Sequence, residues 1–273
     1  MSPHLVITTT VITSTISHEW YSGNQVFGTR PLPSDSNSHN ISTTTVGELG
    51  SLDYRLSFLN KGKPISPWHD IPLKSGEYYN MITEIPKYEK RKMEINTKEK
   101  FNPIAQDVRK GLPREYHGPI FWNYGCLPQT WEDPSLKHTA LGAFGDNDPI
   151  DVVEIGSTAL AVGSVTKVKV LGAFAMIDDG ELDWKVIVVA SDDKLARELN
   201  DVGDIEKMCP GVVSGIREWF RWYKSPDGKP LNAFGFSERC LDRAAAEDII
   251  METHHLWANL KAGVSDMEDL WIK

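Results

Sequence analysis

The stretch Gly145-Asp146-Asn147-Asp148-Pro149-Ile150-Asp151-Val152-Val153-Glu154-Ile155 decides how the rest of the chain is interpreted. Three aspartates lie within six residues, and Asn147 and Pro149 are residues that commonly form turns. The run after Asp151 is β-branched and apolar, which is typical of a buried strand. The pattern therefore predicts three carboxylates at the mouth of a turn, held in place by a strand that cannot easily slip.

Carboxylates this close repel one another and raise each other's pKa. A hard divalent cation offsets that repulsion, and Mg²⁺ prefers oxygen ligands and is commonly shared with the phosphates of a substrate. Two other interpretations are a solvated acidic turn and an Asp-rich calcium loop. The EF-hand pattern is absent, because the loop has no Gly at its sixth position and no acidic residue at its twelfth.

A second acidic turn leads into a second apolar run, in Asp178-Asp179-Gly180-Glu181-Leu182-Asp183-Trp184-Lys185-Val186-Ile187-Val188-Val189. Residues two apart in a strand share a face, so Asp183 and Lys185 point one way and Trp184 points the other. A carboxylate beside an ammonium suits a site that holds a cation and an anion together. The alternative is a surface ion pair next to a core tryptophan.

The composition is that of a globular protein with a sizeable core. The chain has 273 residues, 40% of them hydrophobic and 25% charged, and a net charge of −9. This charge argues against a nucleic-acid partner, which needs a basic face, and no apolar run is long enough to span a bilayer. The three cysteines are odd in number and lack metal-ligand spacing, which indicates reduced thiols inside a cell.

The chain divides into three parts by composition. Residues 1–45 are rich in Ser and Thr and hold one arginine. This polar, Ser- and Thr-rich composition predicts a disordered extension. We expect a cytoplasmic protein, with a mitochondrial or plastid location as the alternative if this extension is a transit peptide. Residues 46–265 form the predicted domain, and residues 266–273 a short C-terminal tail.

Alternating and apolar runs predict short strands, followed by two helices. The alternation predicts strands at Leu52–Phe58, Tyr79–Pro86, Arg91–Ile95, Ser164–Ile177 and Trp184–Ser191. Helical spacing predicts helices at Pro210–Tyr223 and Leu241–Leu260, the second with apolar residues at 241, 245, 249, 256 and 260 and with solvated His254 and His255. Short strands separated by acidic turns favour a closed or partly open β-barrel, and periodicity cannot choose among barrels.

The two acidic stretches, with Thr130-Trp131-Glu132-Asp133-Pro134 and Trp219-Phe220-Arg221-Trp222-Tyr223-Lys224, resemble the soluble (family I) inorganic pyrophosphatases, most closely those of eukaryotes. The resemblance covers roughly residues 48–262. It implies a mainly β fold with flanking helices: a five-stranded OB-type β-barrel with two C-terminal helices. It also implies a homodimeric enzyme that hydrolyses pyrophosphate with Mg²⁺.

The resemblance implies a role for each of the matching residues. Asp148 would accept a proton from the attacking water. Phosphate oxygens would be bound by Lys92, Arg114, Tyr124, Lys185, Tyr223 and Lys224. The activating Mg²⁺ ions would be bound by Asp146, Asp151 and Asp183, with further metals or their waters at Asp178, Glu94, Glu84 and Glu132. The chain offers no Ser-His or Cys-His nucleophile and no P-loop.

The segment 106–124 departs from the family pattern. The family has a longer loop and a Gly-Tyr-Ile approach to Asn-Tyr-Gly, whereas this chain reads Gly118-Pro119-Ile120-Phe121-Trp122-Asn123-Tyr124-Gly125. The first family tyrosine, often assigned as proton donor to the leaving phosphate, has no aligned counterpart, although Tyr116 and Phe121 are near. This departure supports an alternative, a non-catalytic binding or scaffold subunit. An oligonucleotide-binding barrel is disfavoured, because basic and aromatic residues do not interleave on a strand face.

Overall fold

The computed structural model describes residues 41–265 and 269–273, which lie within one compact unit spanning His39–Lys273. Strands account for more of the described residues than helices do. The strands are β1 (Ile41–Val46), β2 (Arg55–Asn60), β3 (Lys63–Ile65), β4 (Lys74–Ser75), β5 (Tyr78–Ile85), β6 (Met93–Ile95), β7 (Ile104–Gln106), β8 (Val108–Arg109), β9 (Leu112–Pro113), β10 (Asn123–Cys126), β11 (Phe144–Gly145), β12 (Asp151–Glu154), β13 (Val165–Asp178), β14 (Glu181–Ala190) and β15 (Ala233–Phe234).

Helices account for less of the described chain, and the longer ones lie near its end. The α-helices are α1 (Pro67–Asp70), α2 (Val202–Met208), α3 (Val212–Trp222) and α4 (Arg243–Lys261). Short 3₁₀ turns lie at Lys194–Arg197, Ser225–Asp227 and Phe236–Glu238. Within the described ranges, none of these helices is long and apolar enough to cross a membrane.

Five strands close into a barrel. Strand β5 pairs with β10, β10 with β12, β12 with β14, β14 with β13, and β13 returns to β5. The pairings are antiparallel except β12–β14, which is parallel. The prediction of a five-stranded OB-type barrel with two C-terminal helices is confirmed.

The longest pairing of the barrel is that of β13 with β14. The two residues of the turn between them explain why these strands form a tight hairpin. Asp179 and Gly180 both have positive φ, at 52° and 97°. Two successive residues of this kind form the type of tight turn whose twist matches that of the strands beside it. The hairpin places Asp178 opposite Glu181 and Met176 opposite Asp183. The second acidic stretch therefore sits at one end of the barrel.

Glycine is required where β10 crosses β5. A Cβ atom on Gly125 would lie 1.9 Å from the carbonyl oxygen of Ile82. The register between the two strands shifts at Tyr124 and Gly125. This close approach fixes the position of Tyr124, whose side chain points toward the acidic end of the barrel.

A second sheet, in the order β1-β2-β7-β6, packs beside the barrel. It carries Glu94 at its β6 edge, opposite Ala105 of β7. The strand predicted at Leu52–Phe58 begins three residues later, at Arg55, and the one predicted at Arg91–Ile95 is shorter. Residues 41–46 pair with β2, so ordered structure begins before the predicted domain start at 46. The disordered extension is predicted for residues 1–45, and residues 1–40 of that range lie outside the described residues.

The C-terminal helix packs against the barrel along the predicted stripe and the positions beside it. Its fully buried residues are Ala246, Ile250, Thr253 and Leu260, and Ile249 and Leu256 of the predicted stripe are partly buried against the core. Asp242 caps the helix by accepting a hydrogen bond from the Ala245 amide, which leaves Leu241 outside it. His255 is exposed as predicted. His254 is half-buried, with Nδ1 2.6 Å from the carbonyl oxygen of Gln129.

The last residues of the chain pack onto the same unit. Leu270 is 8% exposed and belongs to the main core cluster. The amide of Trp271 donates to the carbonyl oxygen of Thr97 at 2.8 Å, and its own carbonyl lies 3.0 Å from Nε2 of His69. The segment predicted as a tail thus includes residues that contribute to the core.

Candidate active site

A cleft of about 220 Å³ opens at the acidic end of the barrel. Thirteen of the fourteen predicted metal, phosphate and proton-transfer residues line it, although they come from seven separate parts of the chain. The lining residues from that set are Glu84, Lys92, Glu94, Arg114, Tyr124, Asp146, Asp148, Asp151, Asp178, Asp183, Lys185, Tyr223 and Lys224. The fourteenth, Glu132, does not line the cleft but has a carboxylate oxygen within 4.8 Å of oxygens of Asp146 and Asp183.

The aspartate turn is attached to the segment before it by backbone hydrogen bonds. Asn147 has a φ of 74°, a conformation that asparagine tolerates better than most residues. Its amide donates to the carbonyl oxygen of Glu132 at 2.9 Å, and its side-chain oxygen accepts from Trp131 Nε1 at 3.0 Å. A Cβ atom on Gly145 would lie 2.5 Å from the Glu132 carbonyl, so this tight contact requires glycine. The turn is therefore rigid before any ligand binds.

Three carboxylates in this region have the arrangement of a metal site. Oxygen atoms of Glu132, Asp146 and Asp183 all lie within 4.8 Å of one another. Glu132 Oε1 accepts from the amide of Trp184 at 3.0 Å, whereas its buried Oε2 has no hydrogen-bond partner in the described chain. Buried polar atoms are rarely left unpaired. A hard divalent cation fits this oxygen-only donor set and would satisfy the unpaired atom.

Burial and mutual repulsion raise the pKa of these carboxyl groups. For Glu132 and Asp146, burial raises the pKa well above the usual range, and the charges of nearby aspartates add to it. For Asp183 the same burial raises the pKa to about 7, although the Lys185 ammonium opposes the rise. Desolvation within the cleft raises the pKa of Asp148 to about 7 as well, and the charge of Glu94 adds to this rise. The Asp148 side chain opens to the water of the cleft, which screens those charges.

Lys185 joins the two acidic stretches. It is 2% exposed, and its ammonium donates hydrogen bonds to the carboxylates of Asp151 and Asp183. The oxygen of Tyr124 lies 3.1 Å from the same nitrogen, and the Tyr124 hydroxyl also donates to Asp151. The parallel pairing of β12 with β14 sets Asp151 directly beside Lys185. Asp183 and Lys185 share a face, as predicted. Both line the cleft, so they are not the surface ion pair of the alternative interpretation.

The end of helix α3 supplies a second cation and a hydroxyl. Tyr223 caps the helix, and its hydroxyl donates to Asp178 Oδ2 at 2.7 Å. Lys224 donates to the same oxygen at 2.5 Å. The other oxygen, Asp178 Oδ1, is buried without a partner in the described ranges. This unpaired atom is a second indication that a cation belongs in the cleft.

Lys92 and Arg114 are held together by residues that the sequence did not indicate. Asp107 lies 3.0 Å from the Lys92 ammonium and 2.9 Å from the Arg114 guanidinium. The Gln106 amide nitrogen lies 2.8–3.0 Å from the carbonyl oxygens of Lys92, Asp107 and Arg114. Lys92 also bonds to Glu94. Asp107 and Gln106 lie where the family resemblance weakens, and only long-range contacts reveal their positions.

Two more residues of the cleft had no assigned role. Tyr116 is 5% exposed and Cys126 is 1% exposed, and both line the cleft. Burial raises the pKa of the Cys126 thiol well above its usual value, and the charge of Glu84 adds to this, so the group stays a thiol. The sequence noted Tyr116 only as a tyrosine near the altered segment. Its separation from Tyr124 along the chain gave no sign that both face one cavity.

The charges of the cleft identify the kind of ligand that it takes. Nine acidic residues line it: Glu84, Glu94, Asp146, Asp148, Asp151, Asp178, Asp179, Glu181 and Asp183. Four basic residues do so: Lys92, Arg114, Lys185 and Lys224. An anion would be repelled by this excess unless cations entered with it, yet the basic groups are placed to bind one. Such a cleft, at the end of a closed barrel, defines a metal-dependent enzyme acting on a phosphate-type anion.

The comparison with known families agrees with this class. The model of the inorganic pyrophosphatase family matches residues 81–258, more than half of the chain. The chain belongs to the inorganic pyrophosphatase family.

Relatives of known sequence or structure match over most of their length. The chain is 53% identical to the chloroplastic soluble inorganic pyrophosphatase 6 of Arabidopsis thaliana, over 82% of this chain and 76% of that one. It is 51% identical to the chloroplastic soluble inorganic pyrophosphatase 1 of Chlamydomonas reinhardtii, over 83% and 82%. The crystal structure of an N-terminally truncated vacuolar soluble pyrophosphatase of Trypanosoma cruzi with PPi has a TM-score of 0.78 at 42% identity, over 89% and 100%.

The raised pKa of Asp183 predicts a pH-dependent stability of the metal-free protein. A carboxyl whose pKa is higher in the folded state contributes stability at low pH, and this contribution is lost as the pH rises through the folded pKa. We expect the Tm of the Asp183→Asn variant, neutral at every pH, to rise relative to wild type between about pH 4 and about pH 7. Thermal denaturation in EDTA, followed by circular dichroism at half-unit pH steps, measures this difference.

Subtracting the two proteins cancels shared titrating groups that do not interact with Asp183, such as His69, whose pKa burial lowers to about 4. The exposed Asp192, changed to Asn, is the matched control, and its Tm difference from wild type should not vary with pH. A Tm difference for Asp183→Asn that is constant or falls across this range would contradict the prediction. Adding Mg²⁺ should raise the wild-type Tm, because a ligand of the folded state stabilises it.

Proposed function

We propose that the protein hydrolyses inorganic pyrophosphate to two orthophosphates, with Mg²⁺ as its divalent cation. The observation that carries the proposal is the cleft, in which nine carboxylates and four basic side chains line one cavity of about 220 Å³. The names of the relatives, and the PPi in the Trypanosoma cruzi crystal structure, support pyrophosphate as the substrate. The oxygen-only donor set supports Mg²⁺ over softer metals.

The carboxylates would hold the cations in two groups. Asp146, Asp151 and Asp183 form the first group, at the rigid turn and on β14. The second group, for further metals or their waters, is Asp178, Glu94, Glu84 and Glu132. Glu132 also adjoins the first group, since one of its carboxylate oxygens lies within 4.8 Å of oxygens of Asp146 and Asp183. When bound, the Mg²⁺ ions would neutralise charge on both phosphoryl groups and lower the pKa of the attacking water.

The basic groups and hydroxyls would bind phosphate oxygens. The proposed set is Lys92, Arg114, Tyr124, Lys185, Tyr223 and Lys224. A lysine ammonium carries three donors, so Lys185 and Lys224 can keep a carboxylate contact while donating to a phosphate. Arg114 presents a planar pair of donors that suits two phosphate oxygens. These residues orient the substrate for in-line attack, which depends mainly on position and electrostatics.

Asp148 would accept the proton of the attacking water. Its carboxylate is exposed to the cleft, and its amide donates to Asp146 Oδ1 at 3.0 Å, which fixes it beside the metal carboxylates. The water oxygen forms a bond to one phosphorus while the bridging P–O bond breaks. The electron pair of that bond leaves with the second phosphate, and the water proton passes to Asp148.

Removing the Asp148 carboxylate should abolish most of the turnover. We expect Asp148→Ala to lower kcat by more than about 100-fold, the size typical of a lost general base. The measurement is orthophosphate release from pyrophosphate in Mg²⁺, with Asp192→Ala, an exposed aspartate outside the cleft, as control. An Asp148→Ala variant near the wild-type rate would remove Asp148 from this role. A folded, Mg²⁺-binding wild-type protein without turnover would contradict the proposed function itself.

A homodimer is proposed, supported by an exposed aromatic patch away from the cleft. Tyr88 is 65% exposed and Phe121 is 52% exposed. The amide of Tyr88 donates to the carbonyl oxygen of Ile120 at 2.6 Å, so the two side chains leave adjacent positions. Large apolar groups grouped on a surface commonly mark a protein interface.

The double variant Tyr88→Ser, Phe121→Ser should therefore shift the protein toward monomer. Light scattering coupled to size-exclusion chromatography gives the mass of each species. Leu136→Ser, which changes a similarly exposed apolar residue elsewhere, should leave the mass unchanged. Wild-type protein that elutes with the mass of one chain would disprove the homodimer.

A plastid location is proposed over the cytoplasm. The names of two relatives place them in chloroplasts, and residues 1–45 are rich in Ser and Thr and poor in acidic residues. We expect a fluorescent protein fused after residue 45 to enter plastids of plant cells. A diffuse cytoplasmic signal would refute this location, and a fusion lacking residues 1–45 is the control.

A further inference from the structure

Three tyrosines line the cleft, and one of them has an unused hydroxyl. The hydroxyls of Tyr124 and Tyr223 donate to the carboxylates of Asp151 and Asp178. The hydroxyl of Tyr116 makes no hydrogen bond to any residue in 41–265 or 269–273, although its side chain lines the same cavity. Tyr116 therefore has a donor to offer to a ligand, whereas the other two are already engaged.

The ring of Tyr116 is fixed although its hydroxyl is not. It packs edge-to-face against the rings of Trp219 and Tyr223, with distances between ring centroids of 4.9 Å and 5.9 Å. Its amide donates to the carbonyl oxygen of Lys90 at 2.7 Å. Tyr116 is only 5% exposed, so little rotational freedom remains to be lost when a ligand binds.

The charges around Tyr116 favour a phosphate. Burial raises the pKa of the Tyr116 hydroxyl. Among the nearby charges, those of Lys92, Lys185 and Arg114 oppose this rise and that of Asp151 adds to it. Arg114 precedes Tyr116 by two residues, and both line the cleft beside Lys92. A phosphoryl group drawn to Lys92 and Arg114 would come to rest near this hydroxyl.

The chain has no other tyrosine in the altered segment before Asn123-Tyr124. Ile120 is fully buried in the core, and Phe121 is 52% exposed on the outer surface. Neither of them lines the cleft. Of these three residues, only Tyr116 can therefore supply a hydroxyl to the cavity.

We propose that Tyr116 is a substrate-binding residue whose hydroxyl donates a hydrogen bond to the phosphoryl group held by Lys92 and Arg114. The proposal rests on the proposed pyrophosphatase function. It involves no covalent change at Tyr116, and it accounts for turnover in a chain that lacks the aligned family tyrosine. A tyrosine that served only to pack against Trp219 would be replaced by phenylalanine without effect.

The test is Tyr116→Phe, which keeps the ring and removes the hydroxyl. Tyr54 is the matched control, since it is equally buried at 5% exposure, its hydroxyl also lacks a hydrogen-bond partner among the described residues, and it lies outside the cleft. We expect Tyr116→Phe to lower kcat/KM for Mg-pyrophosphate about 10- to 100-fold, as for the loss of a hydrogen bond to a charged group. Tyr54→Phe should stay within about twofold of wild type, and both variants should keep the wild-type Tm.

A binding measurement separates this proposal from the proposed function. Calorimetric titration with imidodiphosphate in Mg²⁺ should show affinity about tenfold or more weaker for Tyr116→Phe. This comparison decides the role of Tyr116 even if wild-type protein proves to have no turnover, the result that would refute the pyrophosphatase function. Equal affinity and equal kcat/KM in Tyr116→Phe and wild type would overturn the Tyr116 proposal alone.

A second measurement uses the intact side chain. With 3-fluorotyrosine incorporated at position 116, the ¹⁹F resonance should shift when imidodiphosphate and Mg²⁺ are added. The same label at position 54 should not respond. A label at 116 that is unmoved by saturating imidodiphosphate would also overturn the proposal, whatever the stability of the phenylalanine variant.

Discussion

The site depends on the buried ammonium of Lys185 between the carboxylates of Asp151 and Asp183. A charge that is 2% exposed is tolerated only when it is paired and hydrogen-bonded. The pairing is possible because β12 and β14 run parallel, which sets the first acidic stretch beside the second although they are more than twenty residues apart. The β12–β14 pairing that contributes to barrel closure therefore also brings the two acidic stretches together.

Three lysines around the cleft are each paired with a carboxylate. Lys185 bonds to Asp183 within one strand, Lys92 bonds to Glu94 across the same spacing of two residues, and Lys224 bonds to Asp178 from the end of a helix. In the absence of metals these ammonium groups reduce the repulsion among the carboxylates. In the proposed enzyme, cations bound to the carboxylates would free donors of the same groups for phosphate oxygens. Each lysine would then have a use both before and after the ligands bind.

Local pattern was enough to predict the parts of the site that lie within single stretches. The turn at Asn147 and the shared face of Asp183 and Lys185 follow from residue type and from the period of a strand. The identity of the barrel required the family resemblance, because periodicity does not specify how strands close. Asp107, Gln106 and Tyr116 could not be found this way, since their roles come from contacts across the shortened segment. The stripe predicted for α4 contains the buried Leu260 and the partly buried Ile249 and Leu256 but omits the fully buried Ala246 and Ile250, which lie one position further along the chain than its Ala245 and Ile249.

Side-chain ion pairs contribute more to one end of the cleft than to the other, which has consequences for how each can change. The aspartate turn is fixed by backbone hydrogen bonds to Glu132 and by a glycine contact that leaves no space for a side chain. Arg114 and Tyr116 follow the short β8–β9 hairpin, and their amides donate backbone hydrogen bonds to the carbonyl oxygens of Asp107 and Lys90. Side chains add to these contacts, because Arg109 and His117 both bond to Asp227 beyond the end of α3. Such ion pairs can be lost and replaced singly, so the segment that carries Arg114 and Tyr116 can change in sequence more readily than the aspartate turn. The position of Tyr116 in the cleft is consistent with such a replacement: the altered segment reaches the same cavity from a different residue.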